Sequence, residues 1–164
     1  MKSHDGKFLA RGYWNPKSQI EVRLLTWQDE SIDDEWWRRM LKRAIDARSD
    51  YKHAHSNAYR LINAENDFVP GLIVDRYDDW LVIQALTLGI DQRKHKIVEN
   101  ITADLTMPLG IYERSDVDVR DKEGLKQVTG VLWGESPPEY VEIIEHGLHL
   151  LVDIRNGQKT GYYL

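Results

Sequence analysis

The chain has 164 residues, of which 41% are hydrophobic and 30% charged, and a net charge of −5 at neutral pH. That length holds one domain, or a small domain with part of a second. The absence of cysteine excludes disulfides, thiolate metal sites and a thiol nucleophile within this sequence. No apolar run approaches the roughly 18 residues of a membrane helix, and Met1 to Gly6 lack the apolar stretch of a signal peptide, so a cytoplasmic protein with no membrane partner is expected.

A negative chain does not hold nucleic acid by bulk electrostatics, because phosphate neutralisation needs a dense Lys/Arg surface. The charge is uneven, however. Residues 1–60 carry 12 Lys/Arg against 9 Asp/Glu, whereas residues 61–164 carry 10 against 18. Any RNA contact is therefore expected to lean on the N-terminal part.

In chain order, Phe8 to Tyr13 predict a short strand, Asn15-Pro16-Lys17-Ser18 a turn, and Ile20 to Thr26 a second strand with Ile20, Val22 and Leu24 inward. Ser31 is the expected cap of a helix whose first turn holds Asp33, Asp34 and Glu35, where the helix dipole favours negative charge. Trp36, Trp37, Met40, Leu41, Ala44 and Ile45 recur at helical spacing, with Arg38, Arg39, Lys42 and Arg43 on the opposite face. That basic face is either an RNA-backbone contact or a solvated surface. The polar run Asp50 to Asn57 reads as a connection, and its His53 and His55, without a carboxylate cluster, predict no metal site.

Tyr59 to Glu65 predict a strand, and Leu72 to Leu86 a hairpin turning at Asp78-Asp79. Asp75 and Arg76 form either a catalytic pair or an ion pair at a strand end. Asp91 is expected to cap a helix with Ile97, Val98, Ile101 and Leu105 as its buried stripe. Gly110 onward opens as a strand and turns polar, with Arg114 and Arg120 flanking Asp116 and Asp118. These arginines face phosphates or neutralise a charge network. Val131 to Pro138 read as a loop, and Tyr140 to Glu145 pair with Leu148 to Val152 across the two-residue turn His146-Gly147. The glycine-spaced run Arg155-Asn-Gly-Gln-Lys-Thr-Gly161 then reads either as a close backbone approach to a ligand or a second module or as an ordinary surface loop.

Four stretches carry a resemblance in a consistent order: Phe8-Leu-Ala-Arg-Gly-Tyr-Trp-Asn-Pro-Lys-Ser-Gln-Ile20, Pro70-Gly-Leu-Ile-Val-Asp-Arg-Tyr77, Ile111-Tyr-Glu-Arg-Ser-Asp-Val-Asp-Val-Arg-Asp-Lys-Glu-Gly124, and Gly157-Gln-Lys-Thr-Gly-Tyr-Tyr-Leu164 after Val152-Asp153. Together they resemble the PUA-domain-containing, S-adenosylmethionine-dependent 23S rRNA cytosine 5-methyltransferases. The resemblance implies an α+β chain: the C-terminal part of a PUA-like β-barrel over residues 1–30, a linking amphipathic helix and loop over 31–57, and a mixed central domain over 58–164. It also implies that Gln158, Lys159, Thr160 and Tyr163 approach the S-adenosylmethionine cleft. Arg11, Lys17, Arg23, Arg38, Arg39, Lys42, Arg43, Arg114 and Arg120 are the RNA-contact candidates, with 23S rRNA as the partner.

The sequence has no Gly-x-Gly turn for the cofactor and no cysteine to attack carbon 6 of cytosine. No catalytic residue is therefore assigned. The chain is expected to be the RNA-recognition portion, truncated before the catalytic domain, inactive alone and without a cofactor of its own. The alternative is a non-catalytic protein-interaction module, as in a homodimer.

Overall fold

The computed structural model describes residues 1–49, 56–104 and 106–157. It is an α+β fold around a five-stranded sheet whose strands lie side by side in chain order, flanked by two hairpins, β1 (Arg11–Trp14) with β2 (Val22–Thr26) and β8 (Val141–Glu145) with β9 (Leu148–Val152). The sheet strands are β3 (Ala58–Asn63), β4 (Leu72–Tyr77), β5 (Trp80–Ala85), β6 (Gly110–Ser115) and β7 (Val128–Gly134). β5 and β6 are the parallel pair, joined by the crossover helices α2 (Leu88–Asp91) and α3 (Lys94–Asp104), and the other neighbours are antiparallel.

β5 explains the layering. All six of its residues are buried, as befits a central strand covered on both faces. Leu81, Ile83 and Ala85 join the helices' core, while Trp80 and Val82 point to the other face and meet Tyr77, Val141, Ile143 and Ile154. That second face is covered by the hairpin β8 (Val141–Glu145) and β9 (Leu148–Val152). Its turn is the predicted one, with φ 48° at His146 and 82° at Gly147. The β4-β5 hairpin likewise turns at Asp78-Asp79, with Tyr77 opposite Trp80.

Helix α1 (Asp34–Asp46) buries the expected stripe, from Trp36 to Ile45, against the sheet. Its cap is Asp33 rather than Ser31: the Asp33 carboxylate accepts the Trp36 N–H at 2.9 Å. The helix is a layer of the main core, packed with Leu61, Ile62, Leu81 and Ile83 of the sheet. The segment 50–55, with His53 and His55, lies outside the described residues.

The hairpin of β1 (Arg11–Trp14) and β2 (Val22–Thr26) has the opposite phase to the one expected. Ile20 is 57% exposed and Val22 38%, whereas Leu25 is buried and Tyr13 and Arg23 turn inward. The reason lies beneath the hairpin. Arg23 meets the buried Glu123 at 3.0 Å, and the Tyr13 hydroxyl bonds Pro70 O at 2.9 Å and Thr87 Oγ1 at 2.8 Å. Burial raises the Tyr13 phenol to about 12, so this fastening stays protonated at neutral pH. No closed barrel forms among the described residues.

Three more local expectations change. Asp91 ends α2 instead of capping a helix, and its carboxylate serves Lys94 and Arg120 at 3.3 and 3.0 Å. Thr87 occupies the α2 cap position. Within α3, Ile97, Val98 and Ile101 are buried as predicted, and Leu105 is outside the described residues. Residues 131–134, read as loop, belong to β7, because the β-branched Val128, Thr129 and Val131 supply the antiparallel partner that the outer edge of β6 requires.

Gly71 is needed at the sheet's entry. It sits at φ 86°, and a Cβ there would lie 2.3 Å from Thr87 Oγ1, so only glycine brings the chain past that threonine.

Candidate nucleic-acid interface

The segment after β2, Trp27 to Glu30, runs beside α1, and together with Phe68 they enclose a groove of about 390 Å³. Its lining includes Trp27, Glu30, Trp36, Arg39, Met40, Arg43 and Phe68. Arg39 and Arg43 are one helical turn apart and so share a ridge. Trp36 and Met40, at the apolar edge of the same helix, form the floor; both are buried.

Glu30 organises the groove's polar contacts. Its carboxylate accepts the Thr26 hydroxyl at 2.8 Å, the Trp36 indole N–H at 3.1 Å and an Arg39 guanidinium N–H at 2.6 Å. The Thr26 hydrogen bond first, and those from Arg39 and Trp36 after it, outweigh burial and keep this carboxyl below the usual glutamate range. Glu30 is therefore ionised at neutral pH and partly neutralises the helix's basic ridge.

Phe68 is placed by its backbone. It ends the 3₁₀ turn Ala64–Asp67 in the left-handed conformation, φ 62° and ψ 27°, a costly one for a residue with a side chain. The turn is fastened by Asp67, which accepts from Arg48 at 2.6 Å and from the Asn63 N–H at 2.5 Å. Arg43 stands over the Phe68 ring at 4.7 Å, a cation–π contact. The ring is still 47% exposed, and Trp27 is 61% exposed.

The predicted RNA candidates divide clearly. Arg39 and Arg43 line the groove, and Arg11 pairs with Asp29 on the adjoining loop. Arg38 and Lys42 lie exposed on the same helix, with Lys42 2.8 Å from Asp46. Lys17 is exposed elsewhere, its stem lying over Gly124.

The other three arginines are taken into the fold. Arg23 is held by Glu65 and Glu123. Arg114 is 7% exposed and spends its donors on Asp116, Ile154 O and Gly157 O. Arg120 is 3% exposed and donates to Asp91, Lys126 O and Ala85 O. Arg114 and Arg120 are held in a charge network, the second of the two roles read for them, with their donors on carboxylates and backbone carbonyls. Asp75, too, pairs with Arg60 across β3-β4 at 2.8 Å and not with its neighbour Arg76, and burial raises its carboxyl above the usual aspartate range.

Sequence reasoning missed Trp27 and Phe68. For Trp27 the available signal was an aromatic directly after the predicted strand end at Thr26, and for Phe68 an aromatic three residues past the one at Glu65, with no indication that both would reach α1. Gln158, Lys159, Thr160 and Tyr163 lie outside the described residues. Neither the groove nor a smaller cavity of about 220 Å³ at Arg48, Tyr59, Arg60 and Asn63 has the glycine-rich turn and ribose-binding carboxylate that S-adenosylmethionine requires. Among the described residues no cluster of three or more metal-ligating side chains occurs, and no helix is long and apolar enough to cross a membrane.

Residues 1–27 match the model of the PUA-like domain. The fold is also found in solved structures. One is a SAM-dependent methyltransferase from Streptococcus mutans, with TM-score 0.83 and 24% identity over 99% of this chain and 41% of that one. Another is a methyltransferase solved with SAH, with TM-score 0.84 and 23% identity over 99% of this chain and 40% of that one. At the sequence level the chain is similar to ribosomal RNA large subunit methyltransferase I. The protein from Tolumonas auensis is 46% identical over 97% of this chain, and that from Aeromonas hydrophila 47% over 99%. The chain spans about 41% of the length of these relatives.

Proposed function

We propose that this chain is the RNA-recognition and positioning portion of a ribosomal RNA large subunit methyltransferase acting on 23S rRNA in the cytoplasm. The observation that carries the proposal is the convergence of Arg11 from β1 with Arg39 and Arg43 from α1 around the Trp27 to Glu30 loop and its aromatic groove. Similarity to relatives named for ribosomal RNA methylation supports it, as does the PUA-like match that ends at Trp27. The net charge of −5 is no obstacle, because RNA modules read shape and unstacked bases as much as bulk charge. On the same proposal, methyl transfer belongs to the part of the longer protein not spanned here. Gln158, Lys159, Thr160 and Tyr163 then approach its S-adenosylmethionine.

The test is a pair of charge reversals, Arg39→Glu and Arg43→Glu, with binding to a 23S rRNA fragment followed by fluorescence anisotropy over a salt series. For every phosphate that is no longer neutralised, the slope of log affinity against log salt falls by roughly 0.7 to 0.9. Both side chains are exposed, so the fold is expected to survive. An unchanged slope and affinity in the doubly reversed chain would show that this ridge is only solvated.

A further inference from the structure

We propose that the groove beside α1 binds an unpaired RNA nucleotide, its base stacking on the rings of Trp27 and Phe68 and its phosphate replacing Glu30 as the partner of Arg39. This deepens the RNA-positioning proposal and rests on it. The groove's volume, about 390 Å³, lies within the range of small-ligand sites. Two large aromatic rings line this one groove and remain 61% and 47% exposed, although burying either ring would have been favourable. Base–aromatic stacking gives such faces a partner.

The ring of Phe68 is also preorganised. Its left-handed backbone, the Asp67 hydrogen bonds and the overlying Arg43 hold it without a ligand, which lowers the ordering cost of binding. Arg39 is available as well. Its side chain is 56% exposed and Glu30 is 25% exposed, and ion pairs this open to solvent contribute little, so a phosphate can take the carboxylate's place. Glu30 retains the Thr26 and Trp36 bonds when Arg39 leaves.

The geometry favours an unpaired strand over a duplex. In A-form RNA the bases stack on one another and the major groove is too deep and narrow for side chains to read, so neither ring would find a base face. An acidic peptide would satisfy the arginines but leave the rings without a stacking partner.

The experiment measures binding of the 164-residue chain to a short oligouridylate, to an RNA duplex of the same length and to a short polyglutamate, at one salt concentration. The single strand is expected to bind at least tenfold more tightly than the duplex. Trp27→Leu and Phe68→Leu, which keep apolar bulk but remove the ring, should each weaken single-strand binding about tenfold and leave the duplex unaffected. Glu30→Gln, which removes the competing charge, should tighten single-strand binding several-fold. Melting curves identify any variant that fails to fold, and Trp27→Leu, at the more exposed position, is the decisive one. Equal binding of strand and duplex with no effect of the leucine variants would overturn this inference and leave the RNA-positioning proposal standing. Binding to neither RNA would overturn both. Polyglutamate binding tighter than RNA would make the groove a peptide site.

Discussion

Glu123→Ala is expected to destabilise the chain by about 3–5 kcal/mol, the cost of breaking a buried ion pair from one side. Glu123 is 2% exposed and is the common acceptor for Arg23 at 3.0 Å, Asn15 Nδ2 at 2.9 Å, the Ser18 hydroxyl and the Leu88 N–H at 3.3 Å. It therefore ties the β1-β2 hairpin to the start of α2. Removing it takes from the guanidinium of Arg23, which is only 15% exposed, its buried partner and leaves it to the exposed Glu65 at 3.4 Å. A melting temperature lower by about 10 °C should follow. Lys42→Ala, which breaks the exposed pair with Asp46, should cost no more than about 0.5 kcal/mol.

The pH dependence distinguishes this pair from simple packing. Burial pushes the Glu123 carboxyl up, but the hydrogen bonds from Ser18, Arg23 and Asn15 outweigh it and leave the group below its ordinary value. A carboxyl depressed in the folded state adds stability above its unfolded pKa, and this is lost as pH falls through the folded one. The wild-type chain should therefore lose more stability on acidification than Glu123→Ala. Equal acid sensitivity in urea titrations, or a loss under about 1 kcal/mol at neutral pH, would mean that Glu123 does not hold the hairpin.

Trp36→Ala is the second large effect, again about 3–5 kcal/mol, because a fully buried indole leaves a cavity that the core cannot close. Trp36 is 1% exposed and meets Trp37 edge-on with ring centroids 5.1 Å apart. It also floors the groove, its indole N–H donating to Glu30. Trp36→Phe should restore much of the stability but not that hydrogen bond, leaving Glu30 less firmly placed against Arg39. On the proposal that a phosphate replaces Glu30 on Arg39, RNA affinity should then match or exceed that of the wild type where the phenylalanine variant melts close to it. A lower affinity in a stably folded Trp36→Phe would show that the Glu30 network positions Arg39 for RNA instead of competing with it.

What the sequence revealed depended on how local the determinant was. The α1 stripe from Trp36 to Ile45, the turn at Asp78-Asp79 and the turn at His146-Gly147 are set by residues within a few positions of one another, and all three stand as expected. The phase of β2 is not local. Ile20, Val22 and Leu24 have the right alternation for an inward face, but Arg23 is drawn in by a glutamate a hundred residues later. β7 was hidden because Trp133-Gly134 and the prolines after it signal a loop, while the demand for a strand comes from β6. Arg114 and Arg120 look like phosphate ligands in a polar run, and only the fold shows backbone carbonyls surrounding them. The groove was half legible. Its arginines follow from helical periodicity, whereas Trp27 and Phe68 meet them only through the packing of α1 on the sheet.

The most direct measurement of the central claim is the backbone amide spectrum of the 164-residue chain, recorded with and without a single-stranded fragment of 23S rRNA. Shift changes are expected to concentrate at Trp27 to Glu30, at Arg39, Met40 and Arg43 on α1, and at Phe68, with the buried Arg114 and Arg120 unaffected. Changes confined to the β8-β9 hairpin on the opposite face of the sheet, or a spectrum unchanged at saturating RNA, would contradict an RNA site in the groove.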